Sequence, residues 1–126
     1  MSWRSRLEQG RYQEAEPLYQ RALGICQQVL GPEHAYLITL YNNLGRLYHA
    51  QGKYAEAESL YQRALVLLEK TLGPVHPGVA SSVNNLALLY CNQGKYAEAE
   101  PLYQRALKID EKALGPEHPN VATDLL

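Results

Sequence analysis

An all-α solenoid of stacked antiparallel helix pairs is the fold class this sequence predicts, and three observations carry the prediction. The string QGKYAEAE stands at residues 51–58 and again at 93–100. LYQRAL recurs at 18–23, 60–65 and 102–107, and LGP followed one residue later by His recurs at 30–34, 72–76 and 114–118. Within each copy the apolar residues step by three and four, the period of a helix face, and no segment alternates with period two.

The repeat length follows from Gly10, Gly52 and Gly94, spaced 42 apart, and from Tyr12, Tyr54 and Tyr96 in the same spacing. Residues 51–84 and 93–126 share 23 identities in 34 positions, so both copies must fold alike. The whole length of 126 is three such periods. The expected units are residues 1–34 (the end of a first helix and a second helix), 35–76, 77–118, and 119–126 as the start of another first helix.

Each unit reads as two helices. In residues 54–72, Tyr54, Ala57, Tyr61, Ala64, Leu65, Leu68 and Leu72 fall on one face, and in 79–91 Val79, Val83, Leu86, Ala87 and Tyr90 do the same. Between helices, QGK places Gly52 and Gly94 where a left-handed residue ends a helix. LGP closes the second helix with a glycine cap and a proline that blocks continuation. Pro17 and Pro101 lie beyond the first helical turn, where a mild bend is expected but no break, because the apolar stripe continues on both sides. Gly45, Ala87, Ala57 and Ala64 allow close helix approach, with Tyr48 and Tyr61 filling the space between. A single pair of such short helices cannot bury its apolar face alone, so pairs must stack in line.

Composition narrows the function classes. Twelve Lys/Arg against 13 Asp/Glu give a formal net charge of −1, with no basic surplus for nucleic acid or anionic membranes. The N-terminal MSWRSRLEQG is charged where a signal peptide is apolar, and no apolar run reaches the roughly 20 residues of a membrane span. Cys26 and Cys91 stand at different phases of the repeat and read as free buried thiols of a reducing cytoplasm. Ten Tyr and no Phe suit packed seams in which a hydroxyl finds a partner.

Leu44, Gly45, Tyr48, Ala57, Tyr61 and Ala64, and again Leu86, Ala87, Tyr90, Ala99, Tyr103 and Ala106, have the spacing of the tetratricopeptide signature. The usual period is about 34. With NNLA, QGKYAEAE, YQRAL and LGPEHP, the chain resembles the 42-residue tetratricopeptide repeats of kinesin light chains and their bacterial relatives over residues 9–124. The resemblance implies a right-handed superhelix of about three units, without enzymatic activity, that holds a peptide or partner protein in a concave groove lined by the first helices. It also implies that the second Asn of each NN pair, Asn43 and Asn85, lines that groove. Basic residues of the light-chain groove are not carried over: their places hold Thr39 and Ser81, then Cys26, Leu68 and Asp110.

The candidate groove stripe is Thr39, Asn42, Asn43, Arg46 and His49, repeated as Ser81, Asn84, Asn85, Leu88 and Cys91. Asn is a poor helix former, so a pair in mid-helix asks for a reason. Either the amides offer a donor and an acceptor to a peptide backbone, or they bridge neighbouring helices. His34, His76 and His118 belong to three separate linkers and read as caps, not as a metal or catalytic cluster. The EAE stretches read as solvated helix starts favoured by the helix dipole. No cofactor motif appears, and His49 with Cys91 lacks the third partner of a nucleophilic triad.

A second reading is a self-associating spacer without a dedicated peptide ligand. Residues 1–9 and 119–126 are complementary half-helices. This points either to head-to-tail association, with an imperfect fit because Ser2, Trp3 and Arg6 replace Leu, a small residue and Tyr, or equally to a piece of a longer array whose neighbouring units cover both ends.

Overall fold

The computed structural model describes residues 3–114 of the chain. Every regular element among them is an α-helix: α1 (Trp3–Val29), α2 (Tyr36–Ala50), α3 (Tyr54–Leu72), α4 (Pro77–Asn92) and α5 (Tyr96–Leu114). Helices α2 and α3 form one pair, α4 and α5 the next, and each helix packs chiefly on its neighbours in the chain. This is the all-α solenoid expected from the repeat. Below, A helices are α2 and α4, and B helices are α1, α3 and α5.

The turn inside each pair explains why QGK recurs. The Lys53 N–H donates to the Tyr48 carbonyl at 2.8 Å and the Gly52 N–H to that of His49 at 3.0 Å. Lys95 with Tyr90, and Gly94 with Cys91, repeat these distances. The pattern needs a left-handed residue at its centre, and Gly52 and Gly94 supply φ of 77° and 76°.

Between α2 and α3, Leu37, Leu40, Leu44 and Leu47 interleave with Leu60, Tyr61, Leu65 and Leu68, all buried. The close approach falls at Gly45, where an added Cβ would sit 2.7 Å from Cε1 of Tyr61. Val79, Val83, Leu86 and Leu89 of α4 and Ala106 and Ile109 of α5 continue the same core. Pro17 and Pro101 lie inside unbroken helices, although each removes a backbone donor from its ladder.

The first expected unit differs in form. In place of a short helix ending before Gly10, α1 runs uninterrupted from Trp3 to Val29, and Gly10 does not take positive φ. Tyr48 and Tyr90 each anchor an A helix to the B helix before it, and α1 is the first described helix, with no earlier B helix to serve residues 3–9. Without that anchor, continuing the hydrogen-bonded ladder is the favoured path. The expected half-helix 119–126 lies outside the described residues, as does His118.

Candidate partner-binding face

The A helices bury one side against the B helices and leave the other open. On the open side of α2, Thr39 and Arg46 are exposed while Asn42, Asn43 and His49 are half-buried. One period later on α4, Ser81 and Leu88 are exposed while Asn84, Asn85 and Cys91 are half-buried. The two helices therefore present the same profile of open and recessed positions. The side-chain oxygen of Asn42 is sealed from solvent without a hydrogen-bond partner, an unusual state for a buried amide.

His49 is more constrained than its place on the stripe implies. Its Nδ1 lies 3.3 Å from the Tyr61 hydroxyl and its Nε2 lies 2.6 Å from Nδ2 of Asn92, on the next A helix. Tyr54 and Tyr61 meet the ring edge-on at 5.9 and 6.1 Å. Burial pushes the imidazole pKa down, favouring the neutral ring. With the Asn92 amide donating to Nε2, the ring proton stays on Nδ1 and points to the Tyr61 oxygen. His49 thus ties α2 to α3 and α4. In the next unit the Cys91 thiol reaches the Tyr103 hydroxyl at 3.9 Å. Both cysteines are free and half-buried.

A second periodic contact joins units. The Tyr48 hydroxyl donates to Oε1 of Glu16 at 2.9 Å and accepts from Nε2 of Gln20 at 2.7 Å. One repeat on, the Tyr90 hydroxyl donates to Oε1 of Glu58 at 2.5 Å. The second Glu of EAE is therefore an inter-unit anchor as well as a helix-start charge. Sequence reasoning overlooked this, yet a signal existed: each Glu-Tyr pair is separated by the same 32 residues. Burial, then the Glu58 bond, pushes the Tyr90 pKa up to about 12.

The linker histidines cap helices. His76 Nδ1 accepts from the Gly78 N–H at 3.0 Å and His34 Nδ1 from the Tyr36 N–H at 3.1 Å. Among the described residues no three His, Cys, Asp or Glu side chains are grouped to hold a metal ion, and no helix is long and apolar enough to cross a membrane.

Concave space also opens on the B side. A cleft of about 450 Å³ is lined by α1, α2 and α3, with Gln20, Tyr48 and Arg63 among its walls. Two others, each about 470 Å³, lie where linkers meet B helices: Pro32 and Glu33 against α3, and Pro74 and Val75 against α5.

Tetratricopeptide repeat models match residues 4–70 and 39–91, and another matches 79–120. The chain belongs to the tetratricopeptide repeat family. Solved structures similar to this repeat protein include BtubC (BKLC) from P. vanneervenii, 29% identical over 94% of this chain and 47% of that one, with a TM-score of 0.79. Another is a candidate kinesin light chain of Podosopora anserina with nearly identical TPR-like repeats, 31% identical over 95% of this chain and 57% of its own, also at 0.79. The chain thus spans about half the length of these structures. Comparison with curated protein sequences finds no match. Tetratricopeptide repeats generally mediate protein–protein interaction, and the fold is typically a non-enzymatic scaffold.

Proposed function

We propose that this repeat array is a non-enzymatic binding scaffold whose A-helix stripe holds an extended peptide or partner-protein segment. The reading is carried by one observation: Thr39, Asn42, Asn43 and Arg46 on α2 have the same open or recessed positions as Ser81, Asn84, Asn85 and Leu88 on α4. An extended segment crossing both helices would meet side-chain amides in register, with Arg46 and Leu88 giving local selectivity. His49 serves as a wall of this groove, because Tyr61 and Asn92 hold it in place. Nucleic acid and membrane surfaces are poor partners for a chain of net charge −1. The half-buried free thiols fit a reducing, cytoplasmic setting.

The test is a pull-down from the source cell's lysate with the wild type and the N43A/N85A variant, alongside circular dichroism and sizing. Loss of captured protein with unchanged helicity and size supports the groove. If capture persists, or only stability and oligomer size change, the asparagines are scaffold and the groove reading fails.

A second reading, assembly through the α5 face, is favoured by the inter-unit anchor. Gln104 Nε2 lies 3.4 Å from Glu100 Oε1, the same distance as Gln20 to Glu16 and Gln62 to Glu58. A helix of a second chain with a donor at the place of Tyr48 would find its anchor ready there, although this chain's own first unit has Arg6 at that place. Sedimentation velocity over a wide concentration range tests it, and an E100A/Q104A variant with unchanged association would sink it.

A further inference from the structure

The two linker clefts are the same place in successive units, 42 residues apart, but their chemistry differs. In the first, Glu33 of the linker pairs with Lys70 of α3 beside Pro32 and Leu67. The chain itself thus lays an acidic residue of its linker turn onto a B-helix lysine. In the second, Pro74, Ile109 and Lys112 occupy the places of Pro32, Leu67 and Lys70, while Val75 replaces Glu33 and Lys108 replaces Val66. The internal carboxylate is gone, an apolar side chain stands 57% exposed in its place, and a second lysine is added one turn from Lys112.

We propose that this second cleft is a binding site, separate from the A-helix stripe, for an acidic and aliphatic segment of a partner protein. Glu33 on Lys70 serves as the template: a partner carboxylate takes the equivalent place on Lys112 and Lys108, and an adjacent aliphatic side chain covers Val75 and Ile109. The lining supplies three cations, Arg105, Lys108 and Lys112, against one carboxylate, Glu111. Arg105 is already held by Glu69 at 3.0 Å, so the two lysines are the groups that meet the ligand. Among the described residues no ion pair involves either of them. A volume of about 470 Å³ accommodates a few residues of extended chain. Binding on this exposed surface is expected to be modest and to weaken with salt.

The experiment is fluorescence anisotropy with a labelled Leu-Glu-Glu-Leu-Glu-Glu peptide on the intact chain, with the Gln-for-Glu peptide as reference. The acidic peptide should bind and the neutral one should not. Val75→Glu, which restores the carboxylate of the first cleft, should weaken binding about tenfold, as should K108E/K112E, through like-charge repulsion. Helicity by circular dichroism should hold in both variants, and Arg63→Gln in the first cleft should leave binding unchanged. Methyl spectra locate the peptide: shifts at Val75 and Ile109 support the site. Shifts at Leu88 instead would put the peptide on the A-helix stripe and overturn the cleft without touching the earlier reading. Equal binding of both peptides, indifference to V75E and K108E/K112E, or no binding would also overturn it.

Discussion

Helices α1 and α3 carry the same LYQRAL string, at residues 18–23 and 60–65, in different surroundings. In α3, Ala57 and Ala64 are fully buried and Tyr61 is 1% exposed, because α2 packs on one side and α4 on the other. In α1, the equivalent Ala15, Ala22 and Tyr19 are only partly buried, and Leu18 is 68% exposed. Identical letters therefore have unequal energetic weight, and the weight comes from neighbours in the stack. Full burial of a Leu-sized side chain is worth roughly 1.5–3 kcal/mol, so a half-covered helix gives up much of what its sequence could contribute.

The largest expected effect tests this directly. Tyr61→Ala should destabilise the chain by about 3–5 kcal/mol, as for other buried aromatic truncations, by emptying the seam at Gly45 and cutting the His49 contact. Tyr19→Ala, the same change in α1, should cost about 1 kcal/mol. Urea unfolding midpoints check the pair, and equal losses would show that the motif carries its own weight wherever it stands. Next comes Gly45→Ala, which drives a methyl to 2.7 Å from the Tyr61 ring. Overpacking of this kind costs about 1–3 kcal/mol despite the better helix propensity of Ala.

Much of this fold is written locally. The helix predicted over residues 54–72 forms with those bounds, and the one over 79–91 is extended to Pro77–Asn92. Periodicity and the Gly52 and Gly94 turns depend on adjacent residues, so one sequence suffices to read them. What stayed hidden depends on contacts between units. The continuation of α1 through Gly10 reflects a turn with no described B helix before it to anchor on. The tie from His49 to Asn92 spans 43 residues, and the anchor of Tyr48 on Glu16 spans 32. The stripe of the A helices was legible as a pattern, but its helical phase could not reveal that His49 is held from both sides. The linker clefts went unseen because each is formed by a loop and a helix from the following unit.

The inter-unit anchors sharpen the comparison at a lower energy. Tyr48→Phe and Tyr90→Phe should each cost about 1 kcal/mol, the net worth of a typical hydrogen bond, since each hydroxyl donates to the equivalent Glu of the preceding B helix. The anchor also has a pH window. Burial first, then the Glu58 bond, raises the folded pKa of Tyr90 from 10.0 to about 12, so the folded state prefers the neutral hydroxyl. Its contribution is fully present below pH 10.0 and is lost as pH rises through about 12. Across that window the unfolding midpoint of Y90F should fall less than that of the wild type. Parallel declines would mean the phenol is no anchor.

The smallest effect separates two ion pairs that a count would treat as equal. Lys70 and Glu33 are 60% and 63% exposed, whereas Arg105 and Glu69, at 3.0 Å, are 36% and 32% exposed. The first pair must immobilise two long side chains in high dielectric and is screened by salt, so Glu33→Gln should change stability by less than about 0.5 kcal/mol. Arg105→Gln should cost about 1 kcal/mol, because the pair bridges α5 to α3, its charges are less hydrated, and the guanidinium geometry is more rigid. Thermal melts at low and high salt distinguish them. If Glu33→Gln proved the more damaging, the linker and not the helix stack would be setting the spacing between units.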